Sequence, residues 1–205
     1  MRAGRVEAFS DGVIAILITV MVLGLHRPDG ATWEALGRDA FVLLAYLLSF
    51  VYLGIYWNNH HHMFRLVSRV SGVVLWANLH LLFWLSIVPF VTDWMSEEHF
   101  ATVPTAVYGI VLLLSASAFS ILEATLVRAQ GPSSRLAAAM GRDLKGKLSL
   151  VLYAVGIALT FVDPRLGLAL YVVVAVIWVL PDTRVERELA RDDGDVAEPA
   201  DSETV

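Results

Sequence analysis

Three stretches of this chain run without a single Asp, Glu, Lys or Arg for longer than a bilayer is thick. They cover residues 40–64 (25 residues), 70–92 (23) and 99–122 (24), and a helix needs about 20 apolar residues to cross the hydrocarbon core. A length of 205 residues would otherwise suit one or two soluble domains. Composition agrees with the patterning: 57% of residues are hydrophobic and 17% charged, against roughly 25% charged in a soluble domain. The chain therefore reads as an all-α, multi-pass membrane protein. It has no cysteine, which excludes disulfides, thiolate metal sites and cysteine nucleophiles. The net charge of -5 is a property of one end. Residues 182–205 hold nine acids and three arginines, net -6, leaving +1 on residues 1–181. There is no basic patch for a nucleic acid.

Six spans fit this pattern, at 6–25, 40–62, 70–92, 102–126, 147–162 and 166–181. The first begins after Arg2 and Arg5, as a signal peptide would. However, it contains Glu7 and Asp11, and Gly-Leu-His-Arg-Pro-Asp-Gly follows Leu23 where a small-residue cleavage site would stand. The last two spans are short and separated by Asp163-Pro164-Arg165, which predicts a tight hairpin with Lys145 and Lys147 snorkelling below it. Placing the N-terminus inside puts 12 Lys/Arg in the inner segments and three, Arg27, Arg38 and Arg165, in the outer loops. The positive-inside rule then sets both termini in the cytoplasm of a cell-membrane protein. The domain division is 1–181 for the membrane unit and 182–205 for an acidic tail rich in Asp, Glu, Pro and Ala, expected to be largely disordered. Residues Arg184 to Arg191 can prolong the sixth helix.

The first span carries the most information. At about 100° per residue, with Ile16 as origin, Arg5, Phe9, Gly12, Thr19 and Leu23 all fall within about 60° of it. Ser10 and Asp11 fall on the far side, at about +120° and -140°. An aspartate within a membrane helix costs up to roughly 3 kcal/mol and needs a partner. The third span offers Trp76 and His80, one turn apart, with Asn78 on the other side. The expectation is a hydrogen-bonded cluster of Asp11 and Ser10 with Trp76 and His80, tying the first span to the third. Such clusters act as helix glue; a proton relay or ion-binding carboxylate is the sharper alternative.

Arg5-x-x-x-Phe9-Ser10-Asp11, continued by Gly12-Val13-x-Ala15-Ile16-x-x-Thr19-x-Met21-x-Leu23, resembles the signature of the transmembrane protein 175 family of potassium channels. Trp76-x-Asn78-x-His80 and Pro89-Phe90 are similar to the family as well, and the resemblance extends from residue 1 to about 181. It implies a bacterial-type six-span subunit, four of which assemble as a homotetramer with the first helices around a central pore. Animal members carry two six-span repeats, and no repeat is visible here. The resemblance also implies a constriction of hydrophobic side chains, Ile16 and Leu23 with Thr19 between, in place of a carbonyl-lined filter; no Thr-Val-Gly-Tyr-Gly-like segment occurs. Potassium is then the permeant ion, other monovalent cations follow less readily, and no cofactor is required. The partners are further copies of the chain and membrane lipids.

Other constellations are weaker. Asn58-Asn59-His60-His61-His62 suggests a di-iron enzyme or a pH sensor, but neighbouring histidines on a helix diverge by about 100° and do not readily share a metal. A polar helix end at the interface accounts for them. Trp57, Trp94 and Trp178 suit interfacial belts or ordinary packing, Glu123 a solvated helix end, and Pro89 and Pro104 a kink or helix start. No Gly-x-Ser-x-Gly, His-Glu-x-x-His or phosphate-binding glycine loop occurs, which argues against an enzyme or an ATP-driven pump. The remaining rival is a proton-coupled secondary transporter using Asp11 and His80, against which stands the lack of repeats and broken helices.

Overall fold

Capping residues decide where several helices begin. Thr32 accepts from the Ala35 amide at 3.2 Å to open α2 (Trp33–Arg38), and Ser71 accepts from Val74 at 3.4 Å to open α4 (Gly72–Glu97). The remaining helices are α1 (Ala3–Met21, followed by a 3-10 turn Val22–Gly24), α3 (Ala40–Arg65), α5 (Thr102–Gln130), α6 (Arg135–Met140), α7 (Leu144–Thr160) and α8 (Pro164–Val179). The computed structural model describes residues 2–67, 70–131, 133–140 and 144–179. The acidic tail, with the expected helical extension over Arg184 to Arg191, lies outside the described residues.

The described residues form helices and no sheet, as the charge-free runs dictate. Among the described residues, four helices are long and apolar enough to cross a bilayer: Ala3–Gly24, Ala40–Arg65, Gly72–Glu97 and Thr102–Gln130. They coincide with the first four predicted spans. The expected hairpin also forms. Pro164 stands first in α8, the Asp163 carboxylate accepts from the Arg165 amide at 2.9 Å, and α7 and α8, of 17 and 16 residues, pack along each other. The short α2 and α6 lie in the connections between predicted spans.

The turn between α4 and α5 is strained. His99 and Phe100 both have positive φ, 50° and 58°, a region that side chains other than glycine enter at a cost. The Phe100 amide reaches back to the Met95 carbonyl at 2.9 Å, and both rings pack edge-on against Phe41. These contacts hold the turn and lay α5 closely along α4.

α5 is the central post, packed on α4, α7 and α8, while α1 leans on α3 and α4. Lipid removes most of the hydrophobic drive for helix association, so close packing and hydrogen bonds hold such a bundle. Close packing is clearest around Tyr171, fully buried on α8, where a Cβ on Gly109 would collide with the tyrosine hydroxyl and one on Gly156 would come within 2.8 Å of its ring. Hydrogen bonds cross the same core. Ser49 pairs with Thr92 at 2.7 Å and Tyr108 at 3.0 Å, Tyr52 donates to the Tyr171 carbonyl at 2.5 Å, and Trp178 donates to Ser149 at 2.8 Å. The sequence marked none of these tyrosines as a network, because each sits singly in an apolar run.

Candidate functional site

α1 has two unlike faces. Val6, Ser10, Ile14, Leu17 and Met21, spaced three or four apart, are buried against the rest of the subunit. On the other side Phe9, Ile16 and Leu23 are 54%, 61% and 79% exposed, in line with exposed Arg5, Gly12 and Thr19. A Cβ added at Gly12 would meet nothing within 4 Å. The stripe read from helical angles is thus an open face of the subunit. Thr19 returns its hydroxyl proton to the Ile16 carbonyl at 2.9 Å, leaving its oxygen lone pairs free on that face. Leu23 lies just beyond α1, on the 3-10 turn.

The polar anchor of α1 differs from the expected cluster. Trp76 is 75% exposed and His80 is exposed, accepting from Trp84 Nε1 of its own helix at 3.0 Å. Neither meets Asp11 or Ser10 in a hydrogen bond. The partner is Asn78, on the opposite face of α4. His60 Nε2 donates to Asn78 Oδ1 at 2.8 Å, Asn78 Nδ2 donates to Ser10 Oγ at 2.9 Å, and Ser10 donates to the Val6 carbonyl at 2.9 Å. Ser10, Asn78 and His60 are at most 1% exposed. A relay of donors therefore joins α3, α4 and α1, and each member polarises the next. The reason for the correction is rotational: residues two apart on a helix point about 200° away from each other, so only one of Asn78 and the Trp76–His80 pair can face α1. His60, which the sequence placed in an interfacial polar run, is a buried member of the anchor stacked on Phe64 at 4.4 Å between ring centres.

Asp11 takes a different neighbourhood. It lies with Glu7 of α1 and His61 of α3, the three offering ligand atoms all within 4.8 Å of one another. His61 Nδ1 is 2.8 Å from Glu7 Oε1, and Asp11 Oδ1 is shut from solvent without a hydrogen-bond partner. The polar residues of α1 thus serve two separate contacts, Ser10 toward α4 and Asp11 toward α3.

Comparison with known proteins places this geometry. Residues 5–89 match the family model described as "Endosomal/lysosomal potassium channel TMEM175". A potassium channel of Chryseobacterium sp. (strain P1-3) is 50% identical over 189 residues, covering 92% of this chain and 98% of the relative. A potassium channel of Streptomyces collinus is 36% identical over 179 residues, covering 82% and 87%. Among solved structures, the crystal structure of a potassium-selective TMEM175 homologue from Chamaesiphon minutus superimposes with a TM-score of 0.76 at 31% identity, over 87% of this chain and 96% of that one.

Proposed function

The chain belongs to the TMEM175 family of ion channels, and from that membership we propose that it conducts potassium passively through a homotetrameric pore lined by the open face of α1. As a member of that family it is a multi-pass membrane protein and not an enzyme. The observation that carries the pore assignment is the division of α1. One face is locked to α3 and α4 by the Ser10–Asn78–His60 relay, and the other leaves Phe9, Gly12, Ile16, Thr19 and Leu23 uncovered in one line. Four such faces around an axis enclose a channel whose walls are those side chains.

Ile16 is the residue we assign to the narrowest ring, with Leu23 about two turns away and Thr19 between. Branched apolar side chains converging on an axis exclude water, so an ion crosses only after partial dehydration. Potassium gives up its water more readily than sodium and crosses more often. The Thr19 oxygen offers the one polar foothold along this stretch, since its proton is already committed to the Ile16 carbonyl. No bound cofactor takes part in such a process. The full topology we propose has α7 and α8 as a fifth and sixth span and both termini in the cytoplasm, consistent with the distribution of 12 basic residues to three.

The carrier reading loses its basis. Asp11 and His80 are not a pair: His80 sits on the face of α4 turned away from α1, bonded to Trp84. Reconstitution of the purified chain in a planar bilayer tests the channel. Single-channel steps with a potassium-positive reversal shift under potassium/sodium bi-ionic conditions are the expected result, and flux without unitary steps overturns it.

A further inference from the structure

We infer that Glu7, Asp11 and His61 form a binding site for a divalent transition metal of the zinc class, bridging α1 and α3 at the end where α1 starts and α3 finishes. The site rests on the geometry of the two helices and is independent of ion conduction. Glu7 and Asp11 are one helical turn apart, so their carboxylates repel each other unless a cation lies between them. His61 faces both from α3, and the three ligand atoms lie within 4.8 Å of one another.

Hydrogen bonding alone does not satisfy this group. One imidazole nitrogen cannot serve two carboxylates, and the Nδ1 of His61 stands beside Glu7 at 2.8 Å. Asp11 Oδ1 is left buried with no donor, a position that costs free energy in the absence of a partner. Around a tetrahedral metal with bonds of about 2.0–2.2 Å, two donors stand about 3.3–3.6 Å apart, so side-chain rotations moving the ligand atoms by about an ångström close the set. All three residues are half-buried, which leaves a route for the ion and room for water to complete its coordination.

The donor set selects the ion. Two carboxylates with one imidazole suit borderline cations such as zinc, while calcium and magnesium prefer oxygen alone. Three protein ligands with a remaining open position is a common zinc arrangement. His60 is not among the three grouped ligands, and its Nε2 is committed to Asn78.

Isothermal titration of the untagged, metal-free chain in detergent with zinc chloride tests the inference. The expected result is one saturable zinc per chain, weakened more than about tenfold by His61→Gln and by Glu7→Gln, since even outer-shell changes carry that penalty. His26→Gln, on an exposed stretch of the α1–α2 connection, should bind as the parent does. Affinity unchanged in both Glu7→Gln and His61→Gln, or no zinc binding by the parent chain, overturns the site. Both positions retain solvent exposure, 19% and 35% of the side chain, so these variants keep the subunit folded; size-exclusion elution at the parent position checks this. Asp11→Asn completes the series and should weaken zinc binding to the same degree.

Discussion

Single side chains divide here into those that hold α1 and those that it presents. Ile16 is presented. Replacing it with Asn keeps a comparable bulk and offers an amide oxygen to a partly stripped ion. Sodium, the costlier ion to dehydrate, gains more from that oxygen, so Ile16→Asn should carry larger total current with weaker discrimination against sodium. An unchanged reversal potential and conductance in well-assembled protein would mean that ions pass elsewhere. Asn78 is among the holders. Asn78→Ala leaves Ser10 and His60 without their bridging amide, at a cost of about 1–2 kcal/mol by the measured range for membrane hydrogen bonds and orphaned polar groups. The yield of intact oligomer should fall, whereas Trp76→Ala, at an exposed position of the same helix, should leave the subunit fold unchanged. Thermal melts followed by size-exclusion chromatography compare the two, and equal stability would remove Asn78 from the anchor.

At the level of the helix, the contrast is between neighbouring positions of α1. Leu17 is buried and Ile16 is exposed, although the two are adjacent and chemically alike. Leu17→Asn puts an amide into packed apolar surroundings, costing about 1–3 kcal/mol if it finds no partner. It should reduce assembly and leave the reversal potential of the surviving channels where it was; altered selectivity without loss of protein would invert the assignment of faces. A second helix-level contact is the seat of Tyr171 between α5, α7 and α8. Gly109→Ala cannot be accommodated unless the tyrosine hydroxyl moves away, so α8 should loosen from α5 and the thermal midpoint should drop. A midpoint within error of the parent would show that the seat can shift freely.

For the whole molecule, the prediction concerns sidedness. Tags in the connection 128–145 and at residue 200 should be reached from the cytoplasm, and one at residue 96 only from outside. Tags at 96 and 200 appearing on one face would require an even number of crossings between them in place of three, and would break the six-span count. Mass measurement of the detergent-solubilised assembly gives the subunit number directly, and any value but four revises the pore geometry.

The sequence by itself determined the long helices and the division of α1. Charge-free runs longer than a bilayer leave a chain few options, and the 100° step per residue turns the spacing of Arg5, Phe9, Gly12, Ile16, Thr19 and Leu23 into one line without knowledge of any neighbour. The motif starting at Arg5 also made the family legible. Only the tertiary structure decided what each polar residue meets. Periodicity fixes which side chains share a face of one helix but not how that helix is rotated against the next. The sequence therefore offered Asp11 to Trp76 and His80, while packing turned Asn78 inward and brought in His60 from α3. The same freedom of rotation set Asp11 beside Glu7 and His61, and seated Tyr171 between two glycines 47 residues apart in the chain. Contacts across helices depend on rotations and depths that close packing selects jointly, and no local pattern in one helix encodes them.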